Sequence, residues 1–189
     1  MILIKFNAPV AQLDRAPDYG SGGCRFESCR VYNFMKIYKL QYTQVIKSDI
    51  TKVFKFFSNP ENLSIITPSK LDFKILTPLP IQMKEGQLID YTIKLFGIKV
   101  RWRTIITEYT PKTKFVDQQL KGPYSMWHHV HQFVDCDDSV KMIDTITYVI
   151  PYGFLGSIIN KLWVKKDLDM IFEYRRKVVK KYFEGRNNS

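Results

Sequence analysis

The 189-residue chain has no run of about 18 uninterrupted apolar residues, which excludes a transmembrane helix of ordinary length. Its apolar opening, MILIKF, is broken by Asn7, Pro9 and Gln12 and has no basic segment before it. It does not read as a secretory signal. Cysteine is scarce. Cys24, Cys29 and Cys136 are odd in number and irregular in spacing, which does not fit a secreted disulfide scaffold. Cys24 and Cys29 lack the second pair that a structural zinc site requires. No nucleophile elbow, phosphate-binding glycine loop, zinc-finger spacing or dinucleotide fingerprint occurs. Together these absences predict a cytoplasmic protein without a cofactor.

Acidic residues are also few. Eighteen Asp and Glu stand against 29 Lys and Arg, for a net charge of +11. Such a balance favours nucleic acid or an anionic membrane surface as partner. The strands, however, do not interleave exposed aromatics with basic residues as strand-based RNA readers do. Lysines on exposed faces are expected to solubilise the chain. The expectation is therefore no nucleic-acid partner, weak contact with anionic membrane, and a monomer or weak dimer. With 45% hydrophobic and 14% aromatic residues, the chain can fill a core.

The stretch VAQLDRAPDYGSGGCRFESCR, Val10 to Arg30, has no apolar period of either kind. Permitted codons for residues 8–31 spell three hairpins in order. Ala11–Ala16 gives GCTC pairing with GAGC. Pro17–Gly22 gives CCGGA pairing with TCCGG about a central ACG. Cys24–Cys29 gives GCAGG pairing with CCTGC around TTCGAAT. The segment resembles a translated transfer-RNA gene. Residues 1–34 are accordingly expected to be a disordered, non-native extension, with the natural start at Met35 and one domain over 35–189.

Within that domain, residues 36–46 alternate as a strand. Ser48 or Asp49 caps a short helix, ITKVFKFFS, and PENLSII forms a second one, bounded by prolines. Six strands follow, at 71–76, 86–96, 99–109, 113–120, 125–135 and 140–150, with turns at Gly97 and at 136–139. The remainder reads as one long helix. Its apolar stripe starts at Leu155, Ile158, Ile159 and Leu162 and runs through Leu168, Ile171, Phe172, Val178, Val179 and Tyr182, with Gly185 as its stop. A curved antiparallel sheet of about seven strands, covered by one long helix, is an α+β arrangement that leaves a cavity between the two layers.

NPENLSIITP, GPYSMWHHVHQF, DTITYVIPYGFLG and IFEYR resemble segments of the START/polyketide-cyclase (SRPBCC) superfamily. They are most similar to a bacterial subfamily often labelled as a cell-division inhibitor. The resemblance covers about Lys36 to Phe183. It implies a helix-grip fold holding a small hydrophobic molecule, such as a lipid, a quinone or a polyketide-like compound. Function varies widely among such proteins, so the residues must carry the rest.

All three histidines fall in His128-His129-Val130-His131. On a strand, His129 and His131 share a face with Trp127 and Phe133, while His128 faces away. Closing the hairpin at Asp137-Asp138 sets His131 opposite Asp144, His129 opposite Ile146, Trp127 opposite Tyr148 and Phe133 opposite Met142. The bulkier face should point inward. A carboxylate opposite an imidazole admits three readings: acid–base catalysis in a cyclase or dehydratase, polar lining for one end of an apolar ligand, or a satisfied structural pair. His129 and His131 with Asp144 make a weak metal-ligand pattern, so no metal is expected. Arg175 lies near the helix stripe, within reach of Asp144, Asp90 or an anionic ligand group. The expected ligand-lining set is Trp102, Trp127, His129, His131, Phe133, Asp144, Tyr148 and Arg175. His131 and Asp144 would be the catalytic pair of an enzyme. Lys177, Lys180 and Lys181 form a basic helix end suited to a membrane-surface or protein-interaction role.

Overall fold

A computed structural model describes residues 36–95, 97–151 and 153–185. The extension expected over 1–34, the start at Met35, and Cys24 and Cys29 lie outside the described residues. The elements run β1 (Ile37–Ile46), α1 (Ile50–Phe57), α2 (Leu63–Ile66), β2 (Lys74–Ile75), β3 (Leu88–Leu95), β4 (Ile98–Thr110), β5 (Lys114–Lys121), β6 (Met126–Cys136) and β7 (Ser139–Val149). A long helical segment follows as α3 (Gly153–Ile159), a π-helical turn (Asn160–Val164) and α4 (Lys165–Glu184). One antiparallel sheet of seven strands, in the order β1-β7-β6-β5-β4-β3-β2, packs against that segment. This is the helix-grip arrangement.

Local chemistry explains the element ends. Asp49 is the N-cap of α1, and its carboxylate accepts from the amides of Thr51 and Lys52 at 2.8 and 3.2 Å. The β6–β7 hairpin turns at Asp137 with φ at 59°, a left-handed conformation that a short polar side chain tolerates. Gly97, at φ 81°, does the same between β3 and β4. The strand expected over 71–76 shrinks to Lys74–Ile75. A 3-10 turn takes up Ser69–Leu71, Asp72 sits at φ 40°, and the edge beyond is interrupted by Pro78 and Pro80.

The helix departs from its expected stripe in one respect. The buried positions are Asn160, Val164, Leu168, Phe172, Val179 and Phe183, whereas Leu155, Ile158 and Leu162 are exposed. The π-helical turn accommodates one extra residue, so the face before it is rotated by about one residue relative to a continuous α-helix. The sequence periodicity, extended backwards without that insertion, picks the wrong side. Asn160 anchors the turn: the Tyr148 hydroxyl donates to its Oδ1 at 2.7 Å, and both residues are buried.

Two apolar clusters flank the middle of the sheet. One joins α1 to the far ends of β6 and β7 through Phe54, Phe57, Phe133, Met142 and Val179. The other joins the near ends to the first half of the helix through Trp102, Trp127, Tyr148, Leu168 and Phe172. Tyr42 of β1 stacks on Phe172 at 4.1 Å and an interplanar angle of 3°, and its hydroxyl donates to Asp169. The helix is thus held along its length, at Asn160, around Phe172, and through Val179 and Phe183 in the first cluster. Tyr148→Phe should cost about 1–3 kcal/mol, because it strands Asn160 Oδ1 in the interior. Urea unfolding checks this, and an unchanged midpoint would show that the anchor contributes nothing.

Candidate functional site

The β6–β7 register is the expected one: Trp127↔Tyr148, His129↔Ile146, His131↔Asp144 and Phe133↔Met142. Alternate residues of β6 point inward, and Trp127, His129, His131 and Phe133 are all buried. The neighbouring strand adds a residue that the sequence reading did not select. Asp117 of β5 lies opposite His129 in the β5–β6 pairing.

Two carboxylates therefore face two imidazoles. Asp144 Oδ1 lies 2.9 Å from His129 Nε2 and 2.8 Å from His131 Nδ1. Asp117 Oδ2 lies 2.9 Å from His131 Nε2 and 3.4 Å from His129 Nδ1. The rings lie close, with centroids 3.7 Å apart and planes tilted by 41°. Each ring has one edge toward Asp117 and the other toward Asp144. The hydrogen bonds that align are His129 Nε2 to Asp144 and His131 Nε2 to Asp117. His131 Nδ1 is close to Asp144 but off-axis, and is a buried polar atom without a hydrogen-bond partner among the described residues.

Burial opposes charge on all four groups, and their mutual attraction competes with it. Burial alone would push the His131 pKa down, but the hydrogen bonds and charges of Asp117 and Asp144 outweigh it and the pKa is raised. His129 goes the other way: burial and the neighbouring His131 charge lower it despite the two carboxylates. Burial would raise Asp144 and Asp117, yet the histidines hold both below the usual carboxylate range. The surroundings accordingly favour positive charge on His131 over His129.

Arg175 completes the electrostatics. Its guanidinium carbon sits 4.7 Å from the Phe172 ring centroid, and its Nε and Nη1 are buried without a hydrogen-bond partner among the described residues. Burial lowers its pKa against the charges of Asp144 and Asp117. It does not pair with Asp90. That carboxylate is taken by Arg103, at 2.8 Å, and by Arg101, on the face of the sheet away from the cavity.

A cavity of about 1130 Å³ of non-atom space, counting its open mouth, lies between the sheet, α2 and the long helix. Of the expected lining residues, Trp102, Trp127, His129, His131 and Arg175 do line it. Phe133 does not, because it packs among Phe54, Phe57 and Phe115. Tyr148 does not, because it turns toward Asn160. Asp144 does not either, and opens instead on a separate hollow beside Tyr42 and Asp169. Asp117, Tyr91 and Tyr124 line the cavity unforeseen. Asp117 carried one usable signal: it alternates with inward Phe115 on a strand where an acidic residue is disfavoured. The GPYS turn between β5 and β6 left its partner undetermined. The other walls are apolar, including Ile66, Ile89, Ile106, Leu168 and Phe172.

No family model and no curated protein matches the chain in sequence. Solved structures do match in shape. A protein from Chromobacterium violaceum superposes with a TM-score of 0.60 at 10% identity, covering 77% of this chain and 96% of its own. Ginseng major latex-like protein 151 from Panax ginseng gives 0.59 at 12% identity, covering 78% of this chain and 97% of its own. Ara h 8.0201 gives 0.56 at 12% identity, with 79% and 99% covered. At these identities the likeness establishes the helix-grip fold and leaves the site chemistry to the residues. No described helix is long and apolar enough to cross a membrane.

The two kinds of carboxylate on this sheet should respond differently to truncation. Asp144→Ala leaves buried cationic groups uncompensated and should cost about 3–5 kcal/mol in urea unfolding. Asp90→Ala removes a solvent-screened pair and should leave the unfolding midpoint nearly unchanged. Equal effects from the two variants would contradict a buried, mutually dependent group.

Proposed function

We propose that this protein binds a small hydrophobic or amphipathic molecule, a lipid, quinone or polyketide-like compound, in the cavity between sheet and helix. The observation that carries this reading is the cavity wall itself. Trp102, Trp127, Ile106, Leu168 and Phe172 offer apolar surface, while Asp117, His129, His131 and Arg175 converge as one polar patch. That combination suits a ligand with an apolar body and a single polar end. The fold shared with other helix-grip proteins supports the reading. Carriage needs no covalent step. A cyclase or dehydratase would instead use His131 as acid or base, oriented by the carboxylates.

Native mass spectrometry of the purified full chain should detect a co-purified lipophilic molecule. A fluorescent lipophilic probe, displaced by oleate, then measures occupancy. Trp127→Ala should weaken probe binding about tenfold, equivalent to roughly 1.4 kcal/mol, and more than His131→Ala does. A greater loss with His131→Ala, or an empty protein that takes up no probe, would count against a carrier.

Membrane contact has its own observation. Lys177 and Lys180, at the helix end expected to serve it, lie near Glu173 and Glu184. At the other end, Leu155 is 62% exposed, Leu162 46% and Trp163 52%, beside Lys161 and Lys166. Apolar and aromatic residues flanked by lysines suit the boundary of an anionic bilayer, from which a lipophilic ligand would be taken. Co-sedimentation with phosphatidylserine vesicles should fall several-fold in Leu162→Ser and weaken with salt. Binding insensitive to both would remove this reading.

A further inference from the structure

We propose that Asp117, His129 and His131 bind a first-row divalent transition cation, with its open coordination position facing the apolar cavity. One donor atom from each of the three residues lies within 4.8 Å of the other two. The cavity-side set is Asp117 Oδ2, His129 Nδ1 and His131 Nε2, with Oδ2 3.4 Å and 2.9 Å from the two nitrogens. All three residues line the cavity, and Asp144 does not.

Asp144 stands where an outer carboxylate of a histidine–metal site belongs. It faces the opposite edge of both rings, 2.9 Å from His129 Nε2 and 2.8 Å from His131 Nδ1. A carboxylate there fixes the tautomers: both rings carry their proton toward Asp144, and both lone pairs point toward Asp117. This arrangement gives a role to the atom that hydrogen bonding leaves over, the buried His131 Nδ1.

The donor set indicates the cation. Two imidazoles and one carboxylate suit zinc and its neighbours in the first transition row, and suit magnesium or calcium poorly. Three protein ligands leave a position for water or a ligand group. The charges favour an anion there. Two carboxylates and Arg175 sum to −1 with neutral histidines, so a divalent cation makes the group +1. Arg175 lines the same cavity with Nε and Nη1 unpaired. A bound carboxylate or phosphate would meet both cations. The site stands apart from the lipophile reading, because metal uptake needs no organic ligand.

The test uses the full chain with Cys24, Cys29 and Cys136 replaced by serine, stripped with a chelator and then titrated with Co²⁺ or Zn²⁺. Elemental analysis after desalting should find one metal per chain. The Co²⁺ form should show visible d–d absorption of nitrogen and oxygen ligation. Zn²⁺ should raise the melting temperature. His129→Gln and Asp117→Asn should each abolish stoichiometric uptake. Asp144→Asn, which keeps an acceptor, should weaken it roughly 10–100-fold, and His128→Gln, on the opposite face, should leave it unchanged. The proposal fails if the folded, stripped chain takes up no stoichiometric metal. It also fails if uptake persists in Asp117→Asn, or if His128→Gln removes it. The first of these needs no variant at the site, so an unfolded variant cannot shelter the idea.

Discussion

Two carboxylates, Asp117 and Asp144, are placed inside the sheet's concave face, and that placement constrains much of what surrounds them. An unpaired buried carboxylate is untenable, since it would lose several kcal/mol of hydration with nothing in return. Here each is answered by both histidines, and both lie within the field of Arg175. Carboxylates and partners together come from four elements: β5, β6, β7 and α4. The arrangement therefore couples strand register to helix position. Sliding β6 by one residue would send His129 and His131 to solvent and leave two buried anions. Losing the helix would remove the positive charge of Arg175 from their surroundings.

The polar group also divides the interior. Phe115 stacks on His131 at 4.2 Å from one cluster, and Phe172 approaches His129 edge-on at 5.8 Å from the other. The site is thus sealed by aromatic faces on two sides and opens toward the cavity on a third. Such walls keep the local dielectric low, which strengthens every charge interaction within. The same walls make Arg175 costly where it stands. It is tolerated because Phe172 offers its ring and two carboxylates lie near. A guanidinium with two unpaired donors facing a cavity is arranged for a further acceptor, and neither the sheet nor the helix supplies one.

Much of this was legible in the sequence, and the reasons for the rest are specific. Strand alternation in SMWHHVHQFVD and a short turn at Asp137-Asp138 fix which residues face inward and which oppose them. The Trp127–Tyr148 and His131–Asp144 pairings follow from those two facts. Asp117 did not follow, because β5 joins β6 through a longer turn, and because β4 and β5 shift register twice along their length. Phe133 shares a strand face with Trp127 yet serves a different cluster. Period-2 reasoning assigns a face but does not say where along that face the cavity stops. Tyr148 and the exposed Leu155 and Leu162 were misjudged for one shared reason. A π-helical turn leaves no clear trace in hydrophobic periodicity, and it both creates the Asn160 partner for Tyr148 and rotates the preceding helix face outward.

That turn bears on how the cavity could admit a ligand. α3 and the π-helical turn lie at the near end, while Arg175 and the histidines lie further along the helix. The first part is held by the Tyr148–Asn160 and Tyr38–Ser157 hydrogen bonds, by Val164 and Ile159 in the second cluster, and by the close approach at Gly156. A Cβ at Gly156 would meet the Pro151 carbonyl oxygen at 2.6 Å. The second part is held by Leu168, Phe172, Val179 and Phe183 within the two cores. The first part thus relies on side-chain hydrogen bonds and the second on apolar packing, along one continuous helical segment. The first part is also the one that presents exposed leucines and Trp163. The helix lines the cavity through Leu168, Ile171, Phe172 and Arg175, all beyond the π-helical turn, so a ligand there would meet the firmly packed part of the segment and the charge pairs that hold the sheet in register.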